Sequence, residues 1–166
     1  MTPVLALSGV TRRFGDIEVL HGVDLPLQAG EVHALIGENG AGKSTIMKIL
    51  GGFLQPTTGQ VLLDGKPATH RSGPAAEAAG IVVIHQEFNL VPDLSVAANI
   101  FLGREITRGP RLDHRAMAEA AAALLARLDT PIRPTALIRD LSVPDRQMVE
   151  IAKALSRQAR VLIMDE

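Results

Sequence analysis

The 166-residue sequence has no cysteine, tryptophan or tyrosine, and its aromatic residues are four phenylalanines. Without cysteine there can be no disulfide and no cysteine-ligated zinc, and this composition fits a reducing compartment. The hydrophobic residues, 46% of the chain, must therefore build a core mainly from aliphatic side chains. No apolar run approaches the roughly 18 residues of a membrane-spanning helix, so any membrane role requires a partner.

A surplus of positive charge is also missing. Lys and Arg number 17 against 18 Asp and Glu, which gives a net charge of −1 with neutral His. Proteins that hold nucleic acid through its phosphates generally carry a basic surplus. The composition therefore argues against nucleic acid as a partner.

Strand-like and helix-like segments alternate along the chain, which favours an α/β fold. Short strands are predicted at Val4–Val10, Val19–Leu25, Val32–Ile36, Gln60–Leu63, Ile81–Ile84 and Val161–Met164. A polar turn around Arg12-Arg13-Phe14-Gly15 is predicted between the first two. Helices are predicted from Ser44 to Leu50, from Pro74 to Ala79, and behind the capping residues Ser95, Asp113 and Ser142. Between the last two strands the predicted elements are helices, joined by a loop at Gly103–Pro110 and a connector at Thr130–Thr135, so this stretch is predicted to form a helical insertion.

One segment matches the phosphate-binding pattern G-x-x-x-x-G-K-[ST]. It reads Gly37-Glu38-Asn39-Gly40-Ala41-Gly42-Lys43-Ser44-Thr45, after a predicted strand and at the start of a predicted helix. Glycines let backbone N–H groups turn toward phosphate oxygens, and the helix N-terminus adds its positive dipole end. Lys43 is expected to reach the β- and γ-phosphates and the Ser44 hydroxyl to ligate Mg²⁺. The loop therefore predicts binding of a nucleoside triphosphate with its magnesium ion.

The last strand ends in two carboxylates, Asp165 and Glu166. Downstream of a phosphate loop, an apolar strand that ends in Asp places that carboxylate on the metal side of the nucleotide. The following Glu can orient or deprotonate the attacking water. Asp165 is thus predicted as a metal residue and Glu166 as the catalytic base.

Three further features carry a resemblance to a known family. Residues 141–155, LSVPDRQMVEIAKAL, resemble the signature motif and helix of ATP-binding cassettes, whose usual core is L-S-G-G-Q. His85-Gln86-Glu87 follows a predicted strand and looks like their glutamine loop. Phe14 stands where these proteins carry an aromatic residue. The motifs come in the family order along the whole chain, which therefore resembles an ABC transporter ATPase.

The resemblance implies roles that the spacing alone does not give. Gln86 would touch Mg²⁺ and the lytic water and couple the site to a permease. Phe14 would stack on the adenine of ATP. Ser142 would donate its hydroxyl to the γ-phosphate of an ATP held by a second cassette.

The resemblance also implies a fold. It is a phosphate-loop NTPase core with a mostly parallel sheet, antiparallel N-terminal strands and a helical insertion. Residues 1–86 would be the first part of the ATP-binding core and 87–143 the helical subdomain with the signature. Residues 144–166 would be the signature helix and the Walker B strand that returns to the core. The C-terminal part of the core is expected to be missing.

The finer resemblance is to ATPases of simple-sugar importers, in which two cassettes lie in one polypeptide. It rests on the phosphate loop with Met47-Lys48-Ile49-Leu50, on residues 85–92 (HQEFNLVP) and on residues 99–105 (NIFLGRE). It implies an energy-coupling subunit at the cytoplasmic face of the membrane, attached through permease subunits. A periplasmic or lipid-anchored sugar-binding protein would act with it indirectly. The alternatives are a catalytically inactive nucleotide-binding fragment and a cassette ATPase without a transport role.

The signature departs from the family pattern at Val143, Pro144 and Asp145, where Gly, Gly and Gln are usual. Proline has no N–H to donate to a phosphate, although it is well tolerated in the first turn of a helix. In tandem sugar-importer ATPases the second cassette usually has the degraded phosphate loop, and that is the loop this signature would face. The resemblance therefore predicts a single working site, formed by this chain's phosphate loop and the second cassette's signature.

Overall fold

A computed structural model describes residues 2–68, 72–84 and 89–164. The helices and strands, in chain order, are β1 (Leu5–Phe14), β2 (Ile17–Leu27), α1 (Lys43–Leu50), β3 (Thr58–Leu63), β4 (Lys66–Pro67), α2 (Gly73–Ala78), β5 (Ile81–Ile84), α3 (Val96–Ile100), β6 (Thr107–Arg108), β7 (Arg111–Leu112), α4 (His114–Arg127), a short 3-10 helix (Ile138–Asp140), α5 (Val143–Ser156) and β8 (Val161–Met164). They divide into two compact units. The first runs up to Val83 and includes residues 160–164, and the second runs from Ile84 to Ala159.

The first unit contains an antiparallel sheet with the strand order β2-β1-β3-β4. Two tight turns connect its strands, one at Gly15-Asp16 and one at Asp64-Gly65. Gly15, Asp64 and Gly65 have positive φ. Such φ values suit the two-residue turns that join antiparallel strands. The predicted antiparallel N-terminal strands are confirmed, but β1 continues through Arg12, Arg13 and Phe14, which were predicted as part of the turn.

The core of the first unit is aliphatic, as the composition requires. α1 buries Ile46, Ile49 and Leu50 among side chains of the sheet and of the pair β5–β8. The other buried members of this cluster are Leu5, Leu7, Val10, Leu20, Val61, Ala76, Ile81 and Ile163. This packing fixes the axis of α1, and with it the position of the helix N-terminus.

The predicted strand Val32–Ile36 does not form. Val32 is 100% exposed and Ile36 is 90% exposed, and the segment belongs to no sheet among the described residues. A strand requires a neighbour to satisfy its backbone N–H and C=O groups, and the described strands β5 and β8 pair with each other instead. The apolar sequence was correctly recognised, but the strand prediction was wrong for this chain.

The second unit is a bundle of α3, α4 and α5 with the small hairpin β6–β7. Each predicted cap is present: the side chains of Ser95, Asp113 and Ser142 accept the N–H groups of Ala98, Ala116 and Asp145. Its core is a cluster of small and aliphatic side chains, namely Val96, Ala97, Ile100, Ala121, Leu125, Ile138, Val149 and Ala152. No helix in the described part of the chain is long and apolar enough to cross a membrane.

Candidate nucleotide-binding site

The phosphate-loop sequence leads directly into the first turn of α1. Gly42 is the N-cap with φ 89°, and the first internal hydrogen bond of the helix joins Ile46 N–H to the Gly42 carbonyl at 2.9 Å. Among the residues that the structure describes, no side chain caps this end. The N–H groups of the first turn therefore face outward with the positive end of the helix dipole, an arrangement that suits an anionic ligand.

The Lys43 ammonium lies across the loop. Its Nζ donates to the carbonyl oxygens of Gly37 at 2.6 Å and Glu38 at 2.9 Å, and Ala41 N–H closes a turn onto the Glu38 carbonyl at 3.1 Å. Those acceptors are neutral, and hydrogen bonds from an ammonium to charged phosphate oxygens are stronger. Lys43 is thus positioned so that phosphate oxygens can replace loop carbonyls as its partners.

The remaining predicted loop residues stand in one continuous, accessible segment. Glu38, Asn39, Gly40, Ala41 and Ser44 are exposed, and Thr45 is half-buried. A serine hydroxyl in the first turn is an oxygen donor of the kind that Mg²⁺ accepts, so Ser44 fits the metal role predicted for it.

The strand β2 lies against the loop at Gly42. A Cβ built on Gly42 would lie 2.7 Å from Leu20 Cδ2 and 3.3 Å from the Val19 carbonyl oxygen. Ile17, which pairs with Phe14 across the hairpin, is two residues away from Val19, about 7 Å along the strand. The hairpin end that carries Phe14 is therefore on the same side of the unit as the loop.

Phe14 is 47% exposed, so part of its ring is accessible to a ligand. The guanidinium carbon of Arg12 lies 4.6 Å from the ring centroid, so a cation covers one face. An accessible ring beside a phosphate loop can stack on a base, as the sequence resemblance implied.

Ser142 belongs to the second unit and caps α5. Its Oγ accepts from Asp145 N–H at 3.3 Å and donates its proton to Asp145 Oδ2 at 2.6 Å. The helix cap predicted at Ser142 is confirmed. The hydroxyl proton is directed at a carboxylate of the same turn, and Pro144 contributes no N–H there.

Gln86, Asp165 and Glu166 lie outside the described residues, so their predicted roles stay predictions. Close to Gln86 in sequence, the backbone of Asn89 is held from α5. Its N–H donates to Glu150 Oε1 at 2.7 Å, and its carbonyl accepts from Lys153 Nζ at 2.7 Å. Sequence reasoning missed this pair, although two opposite charges three residues apart on an amphipathic helix were a visible signal.

A glycine-rich loop that leads into an uncapped helix, with a lysine across it, defines a phosphate-loop nucleotide-binding domain. The sequence profile of the family described as ABC transporter matches residues 20–166. The chain belongs to the ABC transporter family.

Individual relatives agree with this assignment. The chain is 54% identical over its full length to ribose import ATP-binding protein RbsA 1 of Rubrobacter xylanophilus, of which it covers 33%. It is 57% identical over 98% of its length to a Burkholderia ambifaria protein named as a ribose/galactose/methyl galactoside import ATP-binding protein, of which it covers 32%. The chain thus spans about a third of the length of these curated relatives.

The fold is shared with solved cassettes. An ATP-binding cassette of an ABC transporter in its ADP conformation superposes on the whole chain with a TM-score of 0.86 at 25% identity. The chain covers 69% of that protein. The predicted phosphate-loop NTPase fold is therefore confirmed for the part present here.

Proposed function

We propose that this chain is the first cassette of the ATP-binding, ATP-hydrolysing subunit of a monosaccharide importer. The observation that carries the proposal is the geometry of the phosphate loop. The Lys43 ammonium spans the loop to the carbonyls of Gly37 and Glu38, and no described side chain caps the N-terminus of α1. The curated relatives named for ribose and galactose import support the choice of sugar class. In this reading the complete protein is a translocase subunit, bound peripherally at the cytoplasmic face of the membrane.

The phosphate end of the site is assigned to α1 and its loop. Backbone N–H groups of the loop and of the first helical turn hold the β- and γ-phosphates, and Lys43 offsets their charge. Ser44, Gln86 and Asp165 are the proposed Mg²⁺ residues. A magnesium ion held by these residues would offset negative charge on the phosphates.

The hydrolytic step is assigned to residues around the γ-phosphate. Glu166 orients and deprotonates the attacking water as general base, and Gln86 positions that water. Phe14 holds the adenine by stacking, which in other proteins contributes about 1–3 kcal/mol per base.

Transport requires partners that this chain does not contain. A second cassette completes the ATP sandwich, and permease subunits convert its closing and reopening into alternating access to the sugar site. A periplasmic or lipid-anchored binding protein would deliver the sugar to the permease. No role for nucleic acid is proposed.

We propose further that only one of the two composite sites works. The signature of this chain is the poorer donor, because Pro144 has no N–H and the Ser142 hydroxyl already bonds to Asp145. The working site would then combine this phosphate loop with the signature of the second cassette.

Transport assays on the complete protein test this function. When the complete protein is reconstituted with its permease in proteoliposomes, monosaccharide uptake is expected only if ATP is supplied on the side of the membrane where the cassettes lie. Lys43→Ala should abolish this uptake. Uptake that continues without ATP, or turnover of ATP with no dependence on membrane partners, would refute the importer assignment. The second outcome would favour a cassette ATPase without a transport role.

A second candidate is that residues 1–166 alone form a catalytically inactive nucleotide-binding fragment. The exposure of Val32 and Ile36 favours it, since both are apolar residues of a segment that forms no strand. Exposed apolar segments of this kind promote aggregation. Purification of residues 1–166 beside a version with the length of a complete cassette, followed by phosphate-release assays on both, separates the two. Release at equal rates would exclude the inactive fragment.

A further inference from the structure

The end of β1 carries a guanidinium whose environment is unusual for a surface arginine. Arg12 is half-buried, and its Nε is covered by protein with no hydrogen-bond acceptor among the described residues. A buried donor without an acceptor is costly, so another interaction must compensate for it. The Phe14 ring packs against the same guanidinium, with its centroid 4.6 Å from the Arg12 Cζ, in the range of a cation–π contact.

Arg12 is itself held in place by the segment before β3. Its Nη1 donates to the Gln55 carbonyl at 2.9 Å. Thr57 binds the same stretch of β1 twice, because its N–H donates to the Thr11 carbonyl at 2.8 Å and its Oγ1 accepts from Arg13 N–H at 3.0 Å. The guanidinium therefore rests on a backbone that is pinned on both sides of Arg12.

This arrangement restricts the Phe14 ring. One face is covered by a planar cation that cannot turn freely, and nearly half of the side-chain surface stays accessible. A ring that is fixed before binding loses less conformational freedom when a base stacks on it. A cation on one face also draws π-electron density toward itself, which favours an electron-rich purine on the other face.

We propose that Arg12 is the positioning residue for base recognition, holding the Phe14 ring so that its uncovered face is presented to the adenine of ATP. This inference rests on the proposed function. It assigns Arg12 an action through Phe14, with no contact to phosphate.

The test compares ATP with inorganic triphosphate, which lacks the base. Both are titrated with Mg²⁺ into the complete protein, and only the binding that Lys43→Ala removes is counted. Arg12→Met keeps a long apolar side chain without charge or donors, and Arg12→Lys keeps the charge without the planar group. Arg13→Met is the matched control, since Arg13 is the exposed neighbour and its hydrogen bond to Thr57 uses the backbone.

Arg12→Met and Arg12→Lys are expected to weaken ATP binding about two- to fivefold, the range of a cation–π contact at an accessible site. Triphosphate binding and the Arg13→Met variant should match the parent. The loss should also disappear in a Phe14→Ala background, because Arg12 then has no ring to hold. Unchanged triphosphate binding shows at the same time that each variant is folded.

Three results would overturn the inference. Equal loss of ATP and triphosphate would mean that Arg12 acts on the phosphates. Parental ATP affinity in Arg12→Lys would mean that charge alone matters. An undiminished loss of ATP affinity in the Phe14→Ala background would mean that Arg12 does not act through the Phe14 ring. If the parent protein shows no Lys43-dependent binding of either ligand, the proposed function itself fails, and the inference falls with it.

Discussion

Replacing Gly42 with alanine would add a methyl group where the phosphate loop touches β2. The new Cβ would lie 2.7 Å from Leu20 Cδ2 and 3.3 Å from the Val19 carbonyl oxygen. Leu20 is buried, so its methyl group has little room to retreat. Gly40, in the same loop, offers a matched comparison: its φ is 86° against 89° for Gly42, but a Cβ there would meet no atom of the described residues within 4 Å.

The two substitutions share one cost and differ in another. Both force alanine into the left-handed region, at about 1–2 kcal/mol. Only Gly42→Ala adds overpacking against Leu20, at about 1–3 kcal/mol. If the loop relieves this strain by moving its N–H groups away from the phosphates, Gly42→Ala should bind ATP about 5- to 150-fold more weakly than Gly40→Ala.

The assay is titration of a fluorescent ATP analogue into the complete protein for both variants and for the parent. Leu20→Ala, combined with Gly42→Ala, should recover most of the difference because it removes the methyl group in the way. Equal affinities of Gly40→Ala and Gly42→Ala, or no recovery by Leu20→Ala, would refute the contact between the loop and β2.

Three other predictions concern Glu166, Ser142 and Asp64. Glu166→Gln should keep ATP affinity but trap the closed state, since the group that acts on water is neutralised; ATP turnover at the parent rate would remove Glu166 as the base. Ser142→Ala should lower turnover only mildly, because this hydroxyl already bonds to Asp145; a loss as deep as that of Glu166→Gln would show that this signature serves the working site. The hydrogen bond from Arg160 lowers the pKa of Asp64, so its contribution to stability is present above the ordinary carboxyl pKa and lost as the pH falls through the lowered value. Asp64→Asn should therefore lower the melting temperature at neutral pH, and this difference should vanish in acid; a difference that persists there would assign the effect to packing.

The features that sequence predicted well are those encoded over a few consecutive residues. Capping at Ser95, Asp113 and Ser142 depends on one side chain and the three residues after it, so the start of each helix was predicted. The phosphate loop is likewise contiguous. Its motif specifies the left-handed conformation of Gly42, the start of α1 and the position of Lys43, all within a few residues.

Features that depend on distant partners could not be predicted in this way. The Val32–Ile36 segment has the composition of a strand, but a strand exists only beside another strand. The contact of Arg12 with Phe14 arises because β1 continues past the predicted turn and Gln55 fixes the guanidinium from 43 residues away. The sequence of β1 alone does not reveal that Arg12 contacts Phe14 and Gln55.

Binding of ATP through Lys43 is the central claim, and one titration tests it directly. A fluorescent ATP analogue is titrated with Mg²⁺ into the complete protein, its Lys43→Ala variant and its Lys48→Ala variant. Lys48 lies on the same helix, is exposed, and carries the same charge. We expect Lys48→Ala to bind as the parent does and Lys43→Ala to lose binding, because the β- and γ-phosphates lose their cationic partner. Undiminished binding by Lys43→Ala would contradict the account.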